Sequence, residues 1–110
     1  MACKHLSVAD LNHLIKFSLE SDGIFNDIWV SGEITQFRHY QKGNQYYFYL
    51  AEQKASLNCV MYSTSISKLQ FSPTVGQHVY ARGTLTFFKN KGSVMFQVAY
   101  MTPDGTGEQQ

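Results

Sequence analysis

Between Ile28 and Met101 apolar residues return at every second position in five short runs. A period of two is the mark of a strand with one face buried, and it commits most of the chain to a sheet. The first run, Ile28 to Gln36, sets Val30 and Ile34 against Ser31, Glu33 and Thr35. The second, Tyr46 to Glu52, alternates Tyr46, Phe48 and Leu50 with Tyr47 and Tyr49. Ser56 to Tyr62 follows after the short connection Glu52-Gln53-Lys54-Ala55, which reads as a hairpin. Gln77 to Phe88 and Ser93 to Met101 are the fourth and fifth runs, separated by Lys89-Asn90-Lys91-Gly92. Between the third and fourth, Ile66 and Leu69 stand three apart within Ser63 to Phe71, which predicts a short helix. Ser72-Pro73-Thr74 and Gly76 then break the chain.

Ahead of Ile28 the period is helical. Ser7 and Asp10 form an S-x-x-D start, and Val8, Leu11, Leu14, Ile15 and Leu19 make one apolar stripe that ends before Gly23. Such a stripe calls for a partner surface, so the helix is expected to pack on the rest of the domain, with Trp29 filling the space between them. The element order is a helix followed by β-β-β-α-β-β. A mainly β, five-stranded barrel with a helix between strands three and four is the OB-fold arrangement. Gly32 and Gly83 interrupt the first and fourth strands, where a closing barrel must bend or bulge. The alternative is an open meander sheet covered by the two helices, which leaves its edges unprotected. The expected organisation is therefore a helical segment packed on the barrel over 1–27, the OB domain over 28–102, and a fraying Gly- and Gln-rich tail over 103–110.

Aromatic residues make up 15 % of the 110 residues and charged residues 15 %, a balance that opposes disorder. No apolar run approaches the length that spans a bilayer, and the start Met1-Ala2-Cys3-Lys4-His5 lacks the apolar stretch of a signal peptide. The expectation is a cytoplasmic protein without membrane contact. Cys3 and Cys59 have no metal-ligand spacing and read as two reduced thiols, with a disulfide between them as the alternative. The formal charge is +1, but it is unevenly spread. From 38 to 91 seven basic residues (Arg38, Lys42, Lys54, Lys68, Arg82, Lys89, Lys91) face one acid, Glu52. That basic middle can attract a polyanion; it also serves as ordinary solubilising charge.

The second strand carries the sharpest signal. With Phe48 and Leu50 inside, the pleat turns Tyr47 and Tyr49 outward on one face, about 7 Å apart. Two such rings make a platform on which bases stack, unless a neighbouring element covers them. Barrels of this type bind oligonucleotides on strands two and three and on the loops joining strands one to two and four to five. Here those loops are Phe37 to Asn44, with Arg38 and Lys42, and Phe88 to Gly92, with Lys89 and Lys91. Phe88 offers a further stacking ring, Asn58 beside the platform a hydrogen-bonding group, and Arg82 on the fourth strand a further cation. Arg38 suits bidentate phosphate contact or stacking, and the lysines act as point charges.

Nothing here reads as an active site. The acidic residues Asp10, Glu20, Asp22 and Asp27 fall on or after the first helix, Glu33 and Glu52 lie in different strand regions, and His5, His13, His39 and His78 are scattered. A metal-dependent nuclease needs such groups clustered. No cofactor is expected in this domain.

Several strings resemble the start of the large subunit of bacterial exodeoxyribonuclease VII: Leu6-Ser7-Val8 with Leu11-Asn12, Ile28-Trp29-Val30-Ser31-Gly32-Glu33-Ile34-Thr35-Gln36-Phe37, Tyr47-Phe48-Tyr49-Leu50, Cys59-Val60-Met61-Tyr62 and Ala81-Arg82-Gly83. The resemblance runs from about Leu6 to Thr102. It implies an OB domain that binds single-stranded DNA, in a cytoplasmic enzyme that degrades such DNA from either end into oligonucleotides. It also implies a nuclease domain after the OB domain and a helical region that gathers small subunits, so the chain resembles an isolated N-terminal fragment. No catalytic residue and no metal requirement of the parent enzyme carries over. Asn58 stands where a basic residue is usual in that family, and Thr84 where one often follows Arg82-Gly83. The competing expectation is a structural module whose same face docks on the remainder of the large subunit.

Overall fold

A computed structural model describes residues 5–104. Helix α1 (Val8–Glu20) precedes strands β1 (Ile28–Tyr40), β2 (Gln45–Glu52) and β3 (Ala55–Met61), then helix α2 (Ser63–Ile66), β4 (His78–Phe88) and β5 (Ser93–Pro103). The strands close into a barrel in the order β1-β2-β3-β5-β4, the arrangement expected of an OB fold. All pairings are antiparallel except a short parallel contact of β3 with β5, where Cys59 faces Phe96. Closure depends on the length of β1. Ile28 to Glu33 pair with β4, and Glu33 to Tyr40 pair with β2.

Gly32 sits where β1 passes from one partner to the other, and a Cβ there would lie 3.1 Å from the Ala51 carbonyl oxygen. Gly83 lies beside an irregularity: Arg82 pairs with Tyr100 but Gly83 with Val98, leaving Ala99 as the extra residue on β5. A Cβ at Gly83 would come within 2.2 Å of the Gln97 carbonyl oxygen, so only glycine fits. The inward residues form one core, led by Ile34, Phe48, Leu50, Cys59, Phe96 and Met101. Cys59 is a free thiol with no exposure, and burial pushes its pKa up to about 12. Cys3 and the start of the chain lie outside the described residues.

Some expectations need correction. β1 continues to Tyr40 rather than ending at Gln36, because a bulge interrupts its period without ending its pairing. The short helix expected between β3 and β4 is present and one turn long: Ser67 Oγ donates to the Thr64 carbonyl and three-residue turns take over, as short polar side chains compete for the backbone. Leu69 and Phe71 still pack on the core from the irregular segment that follows. β5 runs on to Pro103, so the supposed tail begins as strand, and 105–110 lie outside the described residues.

A further correction concerns α1, which docks through its polar side. Asn12 Nδ2 donates to the Lys89 carbonyl (2.9 Å), and Lys16 Nζ reaches Glu20 Oε2 (2.8 Å) and Thr86 Oγ1 (3.4 Å). The Glu20 carboxylate also accepts from the Thr86 hydroxyl and the Phe87 amide. The apolar stripe faces outward, with Leu11 47 % and Leu14 45 % exposed. Trp29 does not wedge between helix and barrel either: it is half exposed and meets Tyr100 edge-on at 6.1 Å.

Candidate nucleic-acid interface

The outer face of β2 is built by a register change in β1. Thr35 stands opposite Tyr49, whereas Arg38 stands opposite Tyr47, so Gln36 and Phe37 together face the single residue Phe48. Gln36 takes up the extra length in a left-handed conformation, φ +50°. Phe37 then turns inward, stacking on Phe48 at 5.9 Å and meeting Tyr46 at 4.7 Å. From there Arg38 and Tyr40 point outward beside Tyr47. In an unbulged strand the alternation set by Ile34 would send both into the barrel.

The resulting surface is a ring cluster with cations at its edges. Tyr40 and Tyr47 lie 5.1 Å apart at 43°, and Arg38 Nη1 donates to the Tyr40 hydroxyl at 3.3 Å. Lys91, arriving on the loop between β4 and β5, places its ammonium 5.4 Å from the centre of the Tyr47 ring, close enough for cation–π attraction. Tyr47 donates to Gln45 Oε1 (3.1 Å), which fixes the ring's outer end. Thr35, Tyr49 and Asn58 make the neighbouring cross-strand row. Arg38, Tyr40, Tyr47, Tyr49, Asn58 and Lys91 border a groove of about 240 Å³. Burial, and then the neighbouring Tyr47 hydroxyl, raise the Tyr62 pKa.

The first loop is shorter than expected, 41–44 rather than Phe37 to Asn44, and Arg38 belongs to a strand. His39 Nε2 donates to Asn44 Oδ1 (2.7 Å) and Gln41 Nε2 to His39 Nδ1 (3.3 Å), which braces this turn around the exposed Lys42. Of the anticipated residues, the fold brings Arg38, Tyr47, Tyr49, Asn58 and Lys91 around one groove. Phe88 and Lys89 line a neighbouring depression that Lys91 also borders. Arg82 stands apart. It lies on the outer face of β4 between Trp29 and Tyr100, with β1 separating it from β2. There it forms a two-pronged pair with Asp27 (2.5 and 2.8 Å) that holds the Asp27 carboxyl below its ordinary pKa.

Gln36 and Tyr40 were not anticipated, although both border the groove. Tyr40 had a signal, since it stands two positions beyond Arg38 and so on the same side of any continued strand. Among the described residues no group of three or more His, Cys, Asp or Glu side chains is placed to hold a metal ion, and no helix is long and apolar enough to cross a membrane.

Comparisons with known proteins agree with this architecture. Residues 6–102 match the family described as OB-fold nucleic acid binding domain. The sequence is 34 % identical over 108 residues to the exodeoxyribonuclease 7 large subunit of Clostridium kluyveri, covering 98 % of this chain and 27 % of that protein. With the exodeoxyribonuclease 7 large subunit of Brevibacillus brevis it shares 37 % identity over 102 residues, covering 93 % and 22 %. The chain thus spans about a quarter of the length of these relatives. Similar solved structures include a replication protein A heterotrimer bound to ssDNA (TM-score 0.56, 10 % identity, covering 71 % of this chain and 57 % of that one). Another is the N-terminal domain of PriB from Thermoanaerobacter tencongensis (TM-score 0.56, 18 % identity, covering 71 % and 94 %). At such identities these two show a shared fold.

Proposed function

The chain belongs to the family of OB-fold nucleic acid binding domains, and from that premise we propose that it holds single-stranded DNA for an exodeoxyribonuclease 7 large subunit acting in the bacterial cytoplasm. The observation that carries this reading is the bulge-built surface: Tyr40 and Tyr47 paired outward, Tyr49 beside them, and Arg38 and Lys91 at the edges. Rings of this kind stack on any base, and the cations meet the backbone between them, so the recognition is tolerant of sequence. Asn58 adds a hydrogen-bonding group for a base edge or sugar. In the relatives the matching stretch is about a quarter of a longer polypeptide, and on this reading the domain retains the strand while hydrolysis takes place elsewhere in such a chain.

A second reading, docking on the remainder of the large subunit or on small subunits, draws support from a different surface. The outward stripe of α1, with Phe25, bounds an apolar depression of about 420 Å³ that nothing in the described chain fills. The two readings use separate faces and are compatible.

The test is fluorescence anisotropy of a labelled oligothymidylate at several salt concentrations. Three to four phosphate contacts give a slope of log affinity against log salt of about −2 to −3. The combined change Tyr47→Ala with Tyr49→Ala lowers affinity by at least about 2 kcal/mol. A flat salt response, or full affinity in the double variant, overturns the reading. Intrinsic tryptophan emission is a poor probe here, because Trp29 lies with Arg82 and Tyr100, away from the groove.

A further inference from the structure

Three depressions on the surface follow one another through shared lining residues. The tyrosine groove shares Lys91 with a second, of about 440 Å³, that contains Phe88 and Gln97. That second depression shares Lys16 and Lys89 with a third, of about 300 Å³, which contains His13 and Phe17 of α1. Rings and cations alternate along the path: Tyr40, Tyr47 and Tyr49, then Lys91, then Phe88, then Lys89, then Phe17. Among the described residues the only carboxylate bordering any of the three is Glu20, and Lys16, Thr86 and the Phe87 amide already satisfy it.

Phe17 is 66 % exposed and does not belong to the outward apolar stripe of α1. It stands on the side of the helix that carries His13, Lys16 and Glu20, the side docked on the β4–β5 hairpin. The same docking holds the loop in place, since the Lys89 carbonyl accepts from Asn12 Nδ2. The helix therefore fixes the lysines of that loop while presenting a ring beyond them.

We propose that α1 is the far wall of an extended single-strand track: the strand leaves the tyrosine groove past Lys91, crosses Phe88, and ends with a phosphate on Lys89 and a base on Phe17. This rests on the reading of the tyrosine groove as a nucleic-acid site and adds to it a helix that lies outside the barrel. It also accounts for the polar docking of α1, which pairs Lys16 with Glu20 and leaves the Phe17 ring beside the loop.

The experiment compares two labelled oligothymidylates, one of about four nucleotides and one of about twelve, both within the range that single barrels cover. The unaltered protein binds the longer at least about tenfold more tightly. Phe17→Ala weakens the longer by about tenfold, leaves the shorter unchanged, and Phe17→Tyr restores the difference. Because Phe17 is largely exposed, these changes leave folding intact, which circular dichroism checks. Equal affinity for the two lengths, or an equal effect of Phe17→Ala on both, overturns the extended track. Failure of the underlying reading looks different: the unaltered protein then binds neither length, or binds both with no dependence on Tyr47.

Discussion

Arg38 and Tyr47 face each other across β1 and β2 because β1 carries one residue more than its partner between Thr35 and Arg38. That extra residue decides which side of the sheet every later residue of β1 occupies. It puts Phe37 into the barrel and gives the outer surface its arginine and its third tyrosine. A device of local backbone geometry thus sets the chemistry of the whole face.

Arg38 is expected to act through shape as well as charge. Its guanidinium lies against the Tyr40 hydroxyl, in position to stack on a base or grip a phosphate with two donors. Arg38→Ala should weaken binding to a single strand by about 1.5–3 kcal/mol and reduce the salt slope by about 0.7. Arg38→Lys should keep the slope while losing at least about 1 kcal/mol of affinity, since a lysine is a point charge without the planar fork. Salt-dependent anisotropy separates the two, and identical behaviour of Lys and Ala variants would contradict the role given to the fork.

Gln36 holds a left-handed conformation that suits glycine and disfavours branched residues. For an ordinary residue that conformation costs about 1–2 kcal/mol, and glycine loses about 0.5–1 kcal/mol elsewhere through its freer unfolded chain. Gln36→Gly should therefore raise stability by up to about 1 kcal/mol or leave it unchanged. Gln36→Val should lower it by more than about 1 kcal/mol. Urea midpoints read the difference, and the reverse order would mean that the bulge is not where β1 changes register.

The same bulge explains what the sequence hid. Val30 and Ile34 mark an inward row, and Gly83 marks a constricted strand, so the barrel and its element order were legible from period and glycine alone. At Gln36-Phe37 the alternation breaks, and a broken period looks like the end of a strand. Arg38 was thereby assigned to a loop and Tyr40 passed over, although pairing resumes with Arg38 opposite Tyr47. Arg82 misled for another reason. Linear spacing placed it among the cations, and only the closure of β4 on the first half of β1 carries it to Asp27 and away from β2. Helix α1 showed its apolar stripe plainly, but no pattern in one sequence reveals that its polar side, Asn12, Lys16 and Glu20, makes the contact.

That polar contact should make α1 sensitive to acid. Lys16, with the Thr86 hydroxyl and the Phe87 amide, holds the Glu20 carboxyl below its ordinary value of 4.5. A carboxyl whose pKa falls on folding favours the native state while it is charged, so its contribution is complete above pH 4.5 and is lost as the pH falls below it. Hydrogen exchange of α1 amides should accelerate over that acid range sooner than exchange in β2 and β3. Glu20→Gln should remove this part of the pH dependence and leave α1 equally loosened at pH 7. If α1 exchange in the Gln variant kept the same acid profile, the carboxylate would not be the group that fastens the helix.

Two glycines of the barrel allow a graded test of how closely its strands approach. At Gly83 an added methyl would meet the Gln97 carbonyl oxygen at 2.2 Å and the Val98 Cα at 2.9 Å, both backbone atoms that no side-chain rotation can move aside. At Gly32 the nearest atoms are the Ala51 carbonyl oxygen at 3.1 Å and amide nitrogen at 3.3 Å, a contact relieved by a shift of a few tenths of an ångström. Overpacking of a well-filled interior costs about 1–3 kcal/mol, so Gly32→Ala should fall near the bottom of that range and Gly83→Ala at or beyond its top. Gly83→Ala can escape only by opening the pairing of β4 with β5 next to Ala99, and that movement would carry the β4–β5 loop and Lys91 with it. It should therefore reduce strand affinity along with stability, whereas Gly32→Ala, which leaves that loop in place, should lower stability alone. Urea midpoints and anisotropy measured on the same two variants read both quantities. Similar costs for the two changes would show that the β4–β5 bulge yields more easily than the close approach at Gly83 implies.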